Sequence, residues 1–350
     1  MKVFCLLGGY EMSFVISIVV LIVSLLVILF AAALFTNGIE WLGKKLNLSE
    51  GAVGSVLAAV GTALPETMIP VVAIITGHED SAHVGIGAIL GAPFMLATLA
   101  FFVVGVSAVA FKKRKQGKTL TVDSSIFQRD IRFFLIVFAL ATAMAFVHMT
   151  WLRYAVAALL VVLYVIYVYH TVRDGEGVGE TEIEPLVFAR KMDEPGFFPV
   201  VSQVVVALLL IVAGARFFID AVTDVSQALH VSPLLLSLLI SPVATELPEK
   251  FNSIFWMRDG KDTLAMGNIT GAMVFQSSVV PALGIAFTSW ELSLTAFISV
   301  ILALLSAGIV FWYSFWKKKL TANVLIFSGS FYLVFVAYVV IGALLGWPIE

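Results

Sequence analysis

The chain of 350 residues is 61% hydrophobic and 13% charged, with a mean hydropathy of +1.04. Such a composition excludes an ordinary soluble domain and marks a polytopic membrane protein. The formal net charge of −2 singles out no partner, and one cysteine, Cys5, excludes an internal disulfide.

The first apolar run, from Ser13 to Leu34, is too long for the core of a cleavable signal peptide and is read as a retained membrane span. Continuing along the chain, apolar runs predict ten spans at 13–35, 51–76, 84–111, 131–148, 151–170, 199–219, 232–257, 263–287, 291–316 and 321–345. They are expected to be helical, because lipid leaves every backbone group to be bonded internally and no run shows the period-two alternation of a barrel strand. The shortest connection, around His148 to Thr150, forces an antiparallel hairpin. The longest, 172–198, separates an N-terminal half, 1–171, from a C-terminal half, 199–350. It is acidic, with Glu176, Glu180, Glu182 and Glu184, and reads as a solvated linker.

Loops after the odd-numbered spans hold 17 of the 21 basic residues, including Lys44, Lys45, the run Lys112 to Lys115, Arg129, Arg132 and Lys317 to Lys319. The opposite side has Lys2 and Arg153. This bias places the basic loops in the cytoplasm and both termini outside, with the cell membrane as the expected location. Topology explains the basic runs, so no nucleic-acid partner is expected; the expected partners are inorganic cations and the bilayer, and a monomer suffices.

Within span 2 lies Gly61-Thr62-Ala63-Leu64-Pro65-Glu66, and within span 7 Ala244-Thr245-Glu246-Leu247-Pro248-Glu249. Burying a carboxylate at bilayer depth costs at least ~2.5 kcal/mol, so two at equivalent places need a cavity or an ion pathway. The offset from Glu66 to Glu249 also aligns Leu48-Ser49 with Val231-Ser232 and Gly77 with Gly260. After a short loop difference, Gly87, Gly91 and Ala92 fall on Gly267, Gly271 and Ala272. The repeated motifs occupy 51–111 and 232–287. Five spans per half make equivalent helices enter from opposite sides, so the fold class is an all-α membrane protein of two inverted five-helix repeats. Pro65, Pro242 and Pro248 are expected to break spans 2 and 7 and free carbonyls near Ala59 and Pro242 for a cation.

Thr62 and Glu66 are four residues apart, as are Thr245 and Glu249, which puts each pair on one helical face. Carboxylates, hydroxyls and carbonyls are hard oxygen donors suited to Ca²⁺, Mg²⁺ or Na⁺. Glu246 is a third carboxylate without a counterpart, since Ala63 takes that position in the first repeat. The small residues of spans 3 and 8 serve either close helix packing or delivery of ligands.

This doubled, inverted motif resembles the two α-repeats of the Ca²⁺/cation antiporter superfamily, the sodium/calcium exchangers and their relatives. No Ser/His or HExxH arrangement lies within the spans, so neither an intramembrane enzyme nor a cofactor is expected. The resemblance implies ten helices, a site between spans 2, 3, 7 and 8, and exchange of Ca²⁺ for Na⁺ or H⁺. It assigns the ion site to Thr62, Glu66, Thr245 and Glu249, with Glu246, Asn268 and Gln276 as further candidates. The chain departs from the family pattern in span 3, where Ala88, Ala92 and Pro93 replace polar residues, and in span 8, where Asn268 remains and Ala272 and Met273 follow. Gln276, two turns on, is placed to compensate. Fewer polar partners weaken the case for a full set of Na⁺ sites, so proton coupling or a changed cation stoichiometry gains weight relative to a standard member, and Na⁺ and H⁺ both stay open as the coupled ion.

Two other classes use the same carboxylates: a passive cation channel and a transport-inactive cation sensor. Channels place such groups in rings around a symmetric pore, whereas this chain has one inverted pair. His78, Glu79, Asp80 and His83 form a polar external loop without a strong metal motif. Trp41, Trp151, Trp290 and Trp347 near span ends read as an aromatic belt. Arg216 and Asp220 predict an ion pair at the outer end of span 6.

Overall fold

The computed structural model describes residues 2–46, 58–111, 117–173 and 184–345; within these, the side chains of 2–13, 58–65, 79, 172, 244, 247–252 and 343 lie outside the described set. Helices α1 (Lys2–Lys45), α2 (Ala58–Thr76) and α3 (Glu79–Met95) come first. A π turn, Leu96–Ala100, carries α3 into α4 (Phe101–Ala110). Then follow β1 (Thr119–Leu120), α5 (Ser124–Ala143), α6 (Thr150–Arg173), α7 (Phe197–Leu229), α8 (Pro233–Arg258), α9 (Asp262–Phe287) and α10 (Leu294–Lys317). The chain ends with β2 (Leu320–Thr321), α11 (Ala322–Gly329) and α12 (Phe331–Leu345).

Among the described residues, seven helical stretches are long and apolar enough to cross a membrane: 14–45, 80–110, 150–171, 197–229, 262–287, 294–317 and 322–342. Helices also occupy the other three predicted spans. Of these, α2 and α8 fall partly outside the described side chains, and α5 carries Arg129, Asp130 and Arg132.

The chain forms two compact units, Met1–Ser81 with Val165–Leu229, and Ala82–Tyr164 with His230–Glu350. In the first, α1 lies along α7, and α2 packs on both. Their approach is close because a Cβ at Gly214 would stand 2.8 Å from Ile28 Cγ1 and one at Gly38 would stand 2.9 Å from Val204 Cγ2. This pairing explains why α1 and α7 outrun the predicted 13–35 and 199–219: each supplies the other with a surface beyond the apolar run. Ser17 Oγ donates to Asp224 Oδ2 (3.3 Å) in that extension. The predicted Arg216–Asp220 pair forms at 3.3 Å, and Arg216 Nη1 also donates to Thr76 Oγ1 on α2 (2.6 Å).

Residues 174–183 lie outside the described set; in 184–189, Glu184, Pro185 and Phe188 are exposed while the backbone is held to its neighbours. Leu186 is fully buried. Trp41 Nε1 and Asn37 Nδ2 donate to the Glu184 carbonyl (2.9 and 3.1 Å), the Val187 N–H donates to Asn37 Oδ1 (3.2 Å), and the Phe188 N–H donates to Gln203 Oε1 (2.9 Å). Gln203 Nε2 in turn donates to the Leu34 carbonyl (2.9 Å), so the segment straps α1 to α7.

In the second unit, one apolar core runs through α3, α4, α5, α8, α9 and α10. Its outer corner corrects the aromatic-belt expectation for Trp290, which is 1% exposed. Its ring fills the notch left by Gly284, with Trp290 Cε3 2.8 Å from where a Cβ would stand, and its Nε1 donates to the Ala141 carbonyl (3.0 Å). Trp41 is likewise buried, whereas Trp151 is 69% exposed, as a belt residue should be; Trp347 lies outside the described residues. Trp290→Phe keeps most of the packing and deletes the donor. It should lower stability by about 1 kcal/mol, seen as a reduced thermal midpoint of the detergent-purified protein.

The expected breaks in spans 2 and 7 are absent: α2 passes through Pro65 and α8 through Pro242 and Pro248 without interruption. Each proline deletes one helical hydrogen bond, and neighbouring turns keep the helix going. The loop predicted at 78–83 is also shorter than expected. Gly77, at φ 72°, makes a tight turn, and α3 starts at Glu79, so Asp80 and His83 sit in its first turns.

Candidate functional site

Ser232 caps α8, its Oγ accepting from the Leu235 N–H (3.2 Å), and Pro233 occupies the first turn, where its missing N–H costs nothing. From there Ser237, Ser241 and Thr245 recur every fourth residue, and Ser253 follows two such steps later; each step of four lies one turn on and about 40° further round the helix. The Ser237 hydroxyl donates to the Val84 carbonyl on α3 (2.7 Å) and lies 2.9 Å from the Ser241 hydroxyl. Thr245 Oγ1 donates to the Ser241 carbonyl (3.0 Å). All four described members of this row are buried. The serines escaped the motif comparison because they are absent from the first repeat, although their spacing is plain in the sequence.

Glu246 and Gln276 are both buried, and Gln276 Nε2 on α9 donates to Glu246 Oε1 on α8 (3.3 Å). The structure thus joins the extra carboxylate to the side chain expected to compensate for lost polar groups. Asn268 sits two turns nearer the start of α9, where its Nδ2 donates to Ser253 Oγ (3.3 Å), and Ser253 Oγ donates to the Ala265 carbonyl (3.3 Å). Thr245, Glu246, Asn268 and Gln276 therefore all belong to the α8–α9 pair, with Asn268 and Gln276 bonded at different levels of α8.

In the first unit, Glu66 is buried on α2 at 9% exposure. The side chains of Thr62 and Glu249 lie outside the described residues. Ala59 falls in the first turn of α2. The carbonyl that Pro242 leaves without its helical donor is that of Leu238, and Gly91 stands against it. A Cβ at Gly91 would clash with the Leu238 carbonyl oxygen and with Pro242 Cγ (2.7 Å), and one at Gly87 would clash with the Leu234 carbonyl oxygen. These two glycines are thus a packing seam that brings α3 onto the backbone of α8.

A buried acid that the sequence analysis did not single out, Asp130, also makes a contact between helices. Thr270 Oγ1 on α9 donates to Asp130 Oδ2 (2.7 Å), and Asp130 Oδ1 pairs with Arg129 Nη2 (3.2 Å). This anchors α9 to α5 two residues beyond Asn268. Asp130 lies between Arg129 and Arg132 at the edge of an apolar run, where its flanking charges hide it as an intramolecular anchor. Among the described residues, no group of three His, Cys, Asp or Glu side chains is placed to hold a metal, including the 78–83 turn.

The sequence matches the family described as sodium/calcium exchanger protein over residues 16–173 and 200–341. The chain belongs to this family. It is therefore grouped with membrane antiporters of inorganic cations and not with enzymes. The inner membrane protein YrbG of Escherichia coli is 23% identical over 300 residues, covering 85% of this chain and 88% of that protein. Among solved structures, an H⁺/Ca²⁺ exchanger, CAX, superposes with a TM-score of 0.72 at 18% identity over 93% of this chain and 82% of its own. The sodium-calcium exchanger NCX_Mj gives a TM-score of 0.56 at 19% identity over 93% and 99%. At these identities the likeness establishes the shared helical membrane fold.

Proposed function

We propose that the chain is a secondary-active antiporter that moves Ca²⁺ or a related hard cation by alternating access, with H⁺ favoured over Na⁺ as the counter-ion. In this reading α2, α5 and α8 complete ten spans, arranged as two inverted five-helix repeats, 1–171 and 199–350, with both termini outside the cell membrane. That each compact unit takes segments from both halves supports an intertwined pair of repeats. The site comprises Glu66, Thr62, Glu249, Thr245 and Glu246, supported by Asn268 and Gln276. Two carboxylates of opposite repeats neutralise one divalent ion, and release of that ion leaves charges that protons can balance.

The choice of counter-ion rests on α3. From Val84 to Ala97 it presents no polar side chain, and Ala88 and Ala92, at the positions of lost polar ligands, are buried. An Na⁺ ion needs several oxygen ligands, whereas a proton needs one carboxylate. The α8–α9 pair supplies the additional buried carboxylate, Glu246.

Purified protein in liposomes should accumulate Ca²⁺ when the interior is made acidic, and to a smaller extent when it is loaded with Na⁺. Parallel runs with Mg²⁺ and Mn²⁺ define the transported ion. If none of these ions moves under either gradient, the antiporter reading fails, and rapid flux without any counter-ion would point to a channel.

A further inference from the structure

The lysine run at the end of α10 is more than a topology signal. Lys118 and Lys317 to Lys319 are 199 or more residues apart, yet β1 and β2 pair antiparallel, Thr119 with Thr321 and Leu120 with Leu320, and the Ala322 N–H donates to the Lys118 carbonyl (2.8 Å). Beside this ribbon is a cavity of about 230 Å³ lined by Leu120, Thr121, Val122, Ser124, Phe127, Ser314 and Lys318 to Leu320. Its apolar wall is well packed, for Leu120, Phe127 and Leu320 are all buried. Its polar lining residues are Lys318, Lys319, Thr121, Ser124 and Ser314.

The membrane level of this cavity is marked by aromatic side chains. Trp312 and Trp316, 62% and 67% exposed, stack at 5.3 Å on the last turns of α10, directly before the lysines. Exposed tryptophans next to an apolar span sit at the headgroup layer. Lys318 itself is left-handed, at φ 48°. Glycine would adopt that conformation at less cost, so a lysine there needs another reason. The acidic side chain of the adjoining turn, Asp123, is turned onto the start of α5, where its Oδ1 accepts from the Ser125 hydroxyl and N–H (2.6 and 2.8 Å) and the Ile126 N–H (3.3 Å). Those bonds, the hydroxyl's first, hold its carboxyl below the usual range.

We propose that this cavity binds the phosphate of an anionic phospholipid headgroup, with Lys318 and Lys319 as the charge partners and Thr121, Ser124 and Ser314 as hydroxyl donors. The bound lipid would tie the α4–α5 and α10–α11 connections together at the bilayer surface. The inference requires only that the chain spans a membrane, so it stands or falls apart from any transport activity.

The full chain, delipidated in detergent, is titrated with phosphatidylglycerol, phosphatidylcholine or inorganic phosphate, and retained lipid is counted by native mass spectrometry alongside the thermal midpoint. Phosphatidylglycerol should bind and raise the midpoint, and phosphatidylcholine should do neither. Lys318→Gln with Lys319→Gln should weaken phosphatidylglycerol roughly thirtyfold, on the scale of the attraction that two surface lysines contribute together, while the double arginine variant retains it. Equal affinity of the glutamine variant and wild type would overturn the proposal. So would an equal shift with inorganic phosphate alone, which would make the cavity a site for a soluble anion.

Discussion

Glu249→Gln, and separately Glu66→Gln, should reduce gradient-driven Ca²⁺ uptake into liposomes by roughly a hundredfold or more, with little change in yield or monodispersity. Glutamine keeps the size of the side chain and most of its hydrogen-bonding capacity, so the change isolates charge. A divalent ion taken from water into a membrane interior needs opposing charge close by, and removing one partner of a buried charged assembly costs about 3–5 kcal/mol. That loss corresponds to two or more decades in affinity or rate. Glu246→Gln should behave differently. Glu246 is bonded to Gln276 and has no equivalent in the first repeat, so its loss should reduce proton-driven uptake more than equilibrium Ca²⁺ binding, measured by calorimetry on the same preparation. Wild-type transport by either motif variant would remove the ion site from the two motifs.

Most of the helical framework was legible because the membrane imposes one rule on every span: an apolar run of sufficient length becomes a helix. The runs behind α3–α4, α6, α9 and α10 therefore translated into helices with boundaries shifted by only a few residues. What stayed hidden were features that depend on a partner distant in sequence. Trp290 has the composition of a belt residue, and only the notch at Gly284 and the Ala141 carbonyl at the end of α5 turn it inward. Leu186 is one apolar residue in an acidic segment, too weak a local signal to reveal that Trp41, Asn37 and Gln203 hold that segment down. The two-residue strands β1 and β2 have no periodicity to detect.

For the site, the carboxylates were visible because their cost in lipid makes them conspicuous. Glu66 and Glu246 are indeed buried. The prolines were conspicuous too, but their effect was misjudged, since a deleted hydrogen bond was equated with a broken helix. The serine row of α8 shows the opposite problem. Hydroxyls are common in membrane helices, and their fourfold spacing acquires meaning only when Ser237 is seen to bond the Val84 carbonyl across to α3.

Gly91→Ala should be among the most damaging single-methyl changes in the second unit. The added Cβ would overlap the Leu238 carbonyl oxygen and approach Pro242 Cγ to 2.7 Å. The first obstacle is backbone and cannot rotate away, so α3 must move off α8. Overpacking a core ordinarily costs about 1–3 kcal/mol, and the upper end applies when the obstacle is rigid. Gly87→Ala meets the Leu234 carbonyl in the same way, and the double variant should fail to fold. Gly308→Ala on α10 is the matched control: no described atom lies within 4 Å of its Cβ position. There alanine should be neutral or stabilising by up to about 1 kcal/mol through its helix propensity. Thermal midpoints of the three single variants in detergent give the comparison, and an unchanged midpoint for Gly91→Ala would show that α3 does not rest on the α8 backbone. The same seam bears on function. Because Gly91 presses on the Leu238 carbonyl, whose usual helical donor Pro242 removes, separating α3 from α8 alters the surroundings of a backbone oxygen about two turns before Thr245. A Gly91→Ala protein that still inserts should therefore also show altered cation affinity, linking helix packing to the site through a single backbone oxygen.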